Sequence, residues 1–253
     1  MNPDFFPDDC LSYKIGHSNT LLEIGRELYN VVDTLNLLEY STTEQSKPIR
    51  SIATFNESQR GVEIVGKYET RAPKEISKYF KQLKQVVGYE LRTNLFHVEK
   101  LNPSPELINI SNTSSRLPNL LPSAPSDMYE SSYKHGASLW HFDNANPLNN
   151  MVLMIYLDEI DGGTCIADPI ITPTRDKLAH RQTNIFNTKI LSEDITYTEV
   201  KGPAGTFSSF NSHILHRAGI PKVLERRAIM VNFLPKEEKY YAAPYRDMDG
   251  IND

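Results

Sequence analysis

Apolar residues recur at near-helical spacing in two stretches of the first ninety positions. Asn19 can cap a helix, and Leu22, Ile24, Leu28, Val31, Val32 and Leu35 behind it mark a stripe that predicts a helix to about Tyr40. Pro73 suits the first turn of a second helix that carries Ile76, Phe80, Leu83 and Val87 on one side. Both stripes read as core-facing surfaces rather than ligand sites. Residues 1–88 are therefore expected to be mainly helical.

From Tyr89 onward the spacing shortens. Residues 91–101 read as a strand, and short apolar runs follow at 138–142, 151–157, 164–167, 206–210 and 226–234. Gly162-Gly163, Gly202-Pro203 and Gly219-Ile220-Pro221 punctuate them. Many short strands between turn signals predict an antiparallel sandwich or barrel. Pro103, Pro105, Pro118, Pro122 and Pro125, among many Ser and Asn residues, make 102–126 a surface loop. No repeat of fixed period is present. The expected organisation is one domain over 1–253: a mainly helical part (1–88), a β-core (89–234) and a C-terminal tail (235–253). The loop and the tail, which holds Tyr240, Tyr241, Tyr245 and Arg246, are the two segments suited to closing a pocket.

Composition narrows the function classes. A chain of 253 residues, 39% apolar and 23% charged, buries a core without staples and is ordinary for a globular protein. Lys plus Arg number 27 against 32 Asp plus Glu, and no basic stripe occurs, which argues against a nucleic-acid groove. The longest apolar run, 151–157, is far too short to cross a bilayer. The acidic, Pro-interrupted N-terminus does not read as a signal peptide. Cys10 and Cys165 alone exclude a disulfide scaffold and a thiolate zinc site. These features predict a reduced, cytoplasmic protein with a small-molecule substrate, no membrane and no nucleic acid. The sequons at Asn56, Asn109 and Asn112 would then go unused.

The chemistry lies in the second half. In Trp140-His141-Phe142-Asp143, read as strand, His141 and Asp143 share a face, roughly 7 Å apart at Cα, so their side chains can converge on one metal ion. A lone His-x-Asp arises by chance; a downstream histidine gives it weight. Residues 205–219 place His213 and His216 at the end of a strand, and Arg226 follows at the head of another. Two imidazoles and one carboxylate with open positions suit non-haem Fe(II) oxygen chemistry. An Arg on the adjoining strand can grip a dicarboxylate by its distal end. Arg227 shares its strand face with Ile229, Val231 and Phe233, a set suited to packing under helices. Arg226 shares its face with Ala228, Met230 and Asn232, a roomier and more polar set.

Three blocks, 139–143, 154–164 and 215–218 followed by 225–233, resemble the Fe(II)/2-oxoglutarate-dependent oxygenases, in particular the phytanoyl-CoA hydroxylase-like branch. The likeness covers roughly residues 133–234. It implies a mainly β fold with flanking helices around a double-stranded β-helix (jelly-roll, cupin-like) core. It also implies iron held by His141, Asp143 and His216, with Arg226 on the C5 carboxylate of 2-oxoglutarate and O₂ as oxidant. The family pattern of an apolar residue, His, then Arg or Gly matches Leu215-His216-Arg217 and so prefers His216 over His213. Relatives often carry Ser two residues after the co-substrate Arg; Ala228 stands here, with Thr164 as a substitute contact. Asp143 favours hydroxylation over the halogenase branch, which replaces that carboxylate by a small residue. Asn232, where nucleic-acid demethylases show a further Arg, argues against that branch. The implied function is a hydroxylase, or a related C–H oxidase, of a small molecule. Two alternatives stand beside it: a cupin-like metalloenzyme that does not use 2-oxoglutarate, and a non-catalytic binding protein on the same barrel.

Overall fold

The structure is a computed structural model that describes residues 2–8, 12–40, 50–58, 61–64, 73–88, 91–103, 150–168, 196–212, 214–219 and 221–235. The first helix, α1 (Asn19–Thr34), starts one residue earlier than the sequence suggests, with Ser18 as its cap. The Ser18 backbone is extended and its Oγ accepts the Leu21 N–H at 3.2 Å. The helix buries Leu21, Leu28, Tyr29 and Val32 on one side. It stops six residues short of Tyr40 because Asn36 takes the left-handed conformation (φ 53°). The Asn36 N–H then bonds the Asp33 carbonyl and the Leu37 N–H the Val32 carbonyl, closing the helix as a Schellman motif. The second helix, α2 (Lys74–Val87), follows Pro73 as predicted and buries Ile76, Tyr79, Phe80, Leu83 and Val87.

Besides these two helices, residues 1–88 hold four strands that the apolar spacing does not predict: β1 (Tyr13–His17), β2 (Glu39–Tyr40), β3 (Arg50–Ser58) and β4 (Gly61–Ile64). In β3 the residues facing the helices are Ala53 and Phe55, with Ser51 buried beside them. Small side chains at alternate positions fill that face without producing the apolar alternation that marks a strand in sequence. Strands β5 (Leu91–Leu101), β6 (Met151–Tyr156), β7 (Cys165–Ala167), β9 (Thr206–Asn211) and β11 (Arg226–Pro235) lie where apolar runs predict them. Strands β8 (Tyr197–Glu199) and β10 (His216–Arg217) complete the set. The expected strand at 138–142 lies outside the described residues.

Among the described residues the strands form two antiparallel sheets. The larger runs β1-β9-β6-β11-β5-β3-β2, with β4 paired to β3, and the smaller runs β10-β7-β8. The large sheet is sandwiched. On its helix side, Phe55, Phe96, Val98, Met151, Leu153, Ile155, Ile229, Val231 and Phe233 pack with the buried faces of α1 and α2. On its other side, Val152, Met154, Tyr156, Phe210 and Ala228 pack against Ile166, Val200 and Ile214 at the small sheet. Tyr13 Oη donates to Thr198 Oγ1 at 2.8 Å, tying the edge of one sheet to the other. This is the mainly β, jelly-roll architecture with flanking helices that the sequence predicts. No described helix is long and apolar enough to cross a membrane.

Candidate active site

The register of the large sheet decides which polar side chains enter the space between the sheets. Along β11, Arg226, Ala228, Met230 and Asn232 alternate with Arg227, Ile229, Val231 and Phe233. The second set faces the helices. Arg227 stays on that side: its guanidinium lies 5.3 Å from the Tyr29 ring, and it is paired with Asp158 at 2.5 and 3.0 Å. Alternation thus separates the two neighbouring arginines as the sequence pattern requires.

Arg226 is only 2% exposed. Its Nη1 donates to the carbonyls of Gly162 (2.7 Å) and Gly219 (2.9 Å), and its Nη2 donates to Glu99 Oε1 (3.0 Å). Its Nε has no partner among the described residues. Those two carbonyls can converge because the chain segments touch: a Cβ on Gly219 would lie 2.0 Å from the Gly163 oxygen. Glu99, itself 4% exposed, sits on β5 opposite Ala228, on the same face as Arg226. The sequence analysis does not single out Glu99. The usable signal was a charge alternating with Phe96 and Val98, which places it on the face away from the helices.

His216 opens β10 and is paired with Ile166 of β7. The ring is 6% exposed and tilts against Phe210, centroids 4.8 Å apart. Its Nδ1 lies 2.7 Å from the Ile214 carbonyl, which can only accept, so Nδ1 carries a proton. A backbone carbonyl fixing the remote nitrogen is how a ligating imidazole is oriented. His141 and Asp143, the other two expected iron ligands, and the competing His213 lie outside the described residues. Among the described residues no cluster of three ligand-type side chains forms a metal site.

Tyr156, on β6 beside Ala228, is fully buried with its ring 6.0 Å from the Arg226 guanidinium. Thr164 Oγ1 lies 2.8 Å from Tyr156 Oη, and the Thr164 N–H donates to the same oxygen at 2.9 Å. Burial pushes the phenol above its ordinary value, against the lowering influence of Arg226 and Thr164, so it is neutral at physiological pH. Thr164, the substitute contact, therefore reaches the Arg226 neighbourhood partnered with Tyr156. Asn232 accepts from Asn150 Nδ2 at 3.0 Å. One row across the same face runs Ser208, Met154, Met230, His97 and Thr54, with His97 Nδ1 hydrogen-bonded to Thr54 Oγ1 at 2.9 Å.

The described residues fit an anionic co-substrate: a buried guanidinium with an unpartnered N–H is a donor awaiting an acceptor. An imidazole whose Nδ1 is held on a backbone carbonyl likewise suits a divalent metal.

No protein-family model matches the chain, and no curated protein matches its sequence. Solved structures do. The non-haem alpha-ketoglutarate-dependent carbocyclase SnoK from nogalamycin biosynthesis is 12% identical over 91% of this chain and 81% of its own, with a TM-score of 0.55. The epimerase SnoN, solved in complex with Fe³⁺, alpha-ketoglutarate and nogalamycin RO, is 10% identical over 90% of this chain and 80% of its own, at 0.51. The chain thus has the fold of non-haem iron, 2-oxoglutarate-dependent oxygenases.

Proposed function

We propose that this protein is a non-haem Fe(II) oxygenase that couples oxidative decarboxylation of 2-oxoglutarate to C–H oxidation of a small molecule. The observation that carries the reading is Arg226: a guanidinium buried between the sheets whose Nε–H has no acceptor among the described residues, on the strand where the sequence blocks expect the co-substrate. His141, Asp143 and His216 would hold the iron, and Arg226 the C5 carboxylate. When bound, the iron with O₂ and 2-oxoglutarate supplies the oxidising power for an unactivated C–H bond. The chain's own residues do the rest. Nδ1 of His216 keeps its proton on the Ile214 carbonyl and so presents Nε2. Tyr156 and Thr164 hold a neutral, hydrogen-bonded wall beside the guanidinium, and the apolar inter-sheet residues exclude water.

Hydroxylation is the outcome that Asp143 favours. SnoK is a carbocyclase and SnoN an epimerase, so cyclisation and epimerisation are the competing outcomes on this fold. The phytanoyl-CoA hydroxylase-like assignment rests on the three sequence blocks, and a cytoplasmic location on composition. Anaerobic addition of Fe(II) and 2-oxoglutarate is expected to give a weak visible charge-transfer band. Uncoupled succinate formation is expected to vanish in His141→Ala and in Asp143→Ala. Unchanged turnover in both variants overturns the reading.

One observation favours a second reading, a cupin-like metalloenzyme that does not use 2-oxoglutarate. Arg226 already has a counter-ion in Glu99. Metal binding without the charge-transfer band would select that reading.

A further inference from the structure

The Glu99–Arg226 pair has a consequence for which 2-oxo acids the pocket accepts; the inference rests on the function proposed above. Arg226 would be the anchor for a distal carboxylate, yet its Nη2 is held at 3.0 Å by a carboxylate of the chain itself, and both partners are buried. Its Nη1 is spent on the Gly162 and Gly219 carbonyls. Among the described residues, Nε alone of its nitrogens has no partner.

We propose that Glu99 is an internal counter-carboxylate that lowers the selectivity of the Arg226 pocket for dicarboxylic over monocarboxylic 2-oxo acids. A guanidinium whose charge is already balanced attracts an incoming carboxylate less than a lone one does. In a buried site the second carboxylate also meets the repulsion of the first. The part of binding shared by all 2-oxo acids, through the C1 carboxylate and keto oxygen, is common to both and cancels in the ratio of their affinities. Removing the Glu99 charge while keeping an acceptor oxygen for Nη2 should therefore strengthen the dicarboxylate alone. Glu99 is a specificity-determining residue in this scheme.

The test is an anaerobic titration of the Fe(II)-loaded full chain with 2-oxoglutarate and, separately, with 2-oxopentanoate, which has a methyl where the distal carboxylate stands. The charge-transfer band gives a midpoint for each. In the wild-type protein 2-oxoglutarate is expected to bind less than about tenfold more tightly than 2-oxopentanoate. In Glu99→Gln that ratio is expected to rise by about tenfold, the scale of one charge-assisted contact. A wild-type preference of tenfold or more overturns the inference, and so does a ratio that stays level or falls in Glu99→Gln. Should Glu99→Gln fail to melt cooperatively, the wild-type ratio decides by itself. A missing band with both acids in both proteins overturns the functional reading and this inference together. A band that appears with the wrong ratio overturns the inference alone.

Discussion

Arg226 and Arg227 are neighbours in sequence and opposites in environment, so the same substitution should have different consequences at each. Arg227→Ala loses a partly exposed ion pair with Asp158 and a stacking contact on Tyr29. Solvent screening limits that loss to about 1 kcal/mol, and 2-oxoglutarate binding should be unchanged. Arg226→Ala removes the cation paired with the buried Glu99 carboxylate, at a cost of about 3–5 kcal/mol. Thermal melts of the two variants, with 2-oxoglutarate titrations alongside, check the contrast. A similar melting point for both would contradict the burial of the Glu99–Arg226 pair. At this scale the sequence is partly legible. Strand alternation separates Arg226 from Arg227, since the side chains that follow Arg227 along its own face are all apolar. Glu99 is not legible that way, because its partner lies 127 residues away and only sheet register brings the two together. Tyr156 hides inside an apolar run, where nothing marks a hydroxyl that meets Thr164.

Among the elements, the link between the strands carries a pH-sensitive tie. Asp161 Oδ2 accepts three backbone N–H groups, from Lys222, Val223 and Leu224, and so pins the turn that leads into β11. Partial burial would raise this carboxyl, but the hydrogen bonds from Val223, Leu224 and Lys222 outweigh it and hold it below the ordinary carboxylate value. A carboxyl depressed in the folded state contributes stability above its unfolded value near 4, and the contribution fades as pH falls through the folded value. Asp161→Asn is therefore expected to lower the melting point at pH 7 and to narrow the gap from wild type below about pH 4. An equal gap at pH 3 and pH 7 would contradict the tie. The helices are legible here because their stripes are apolar, although the end of α1 hinged on a single residue, Asn36. Strands β1 and β3 were not, since alternate positions in them carry Gly16, Ser51 and Ala53 rather than large apolar side chains.

For the whole molecule, binding that joins distant stretches of chain should stabilise the fold. Two of the proposed ligands precede β6 and the third opens β10, so iron would bridge segments more than seventy residues apart. Fe(II) at about a hundred times its dissociation constant should add about 2.7 kcal/mol, which in a chain of this size is a rise of several degrees in melting temperature. Chelator should reverse the rise, and His216→Ala should abolish it. An equal rise in His216→Ala would mean that the metal sits elsewhere. The two-sheet architecture is legible from the rhythm of short runs and turn residues. The way the N-terminal strands extend the large sheet is not, because pairing over such separations depends on register that local sequence does not encode.

The large sheet acts as a partition. The apolar mass that the helices cover lies on one side, and the Met154, Met230, His97 and Thr54 row lies on the other. Side chains in that row can change identity without disturbing what anchors α1 and α2. Under the proposed function, substitutions in that row would alter what the space between the sheets admits and leave the packing beneath the helices as it is.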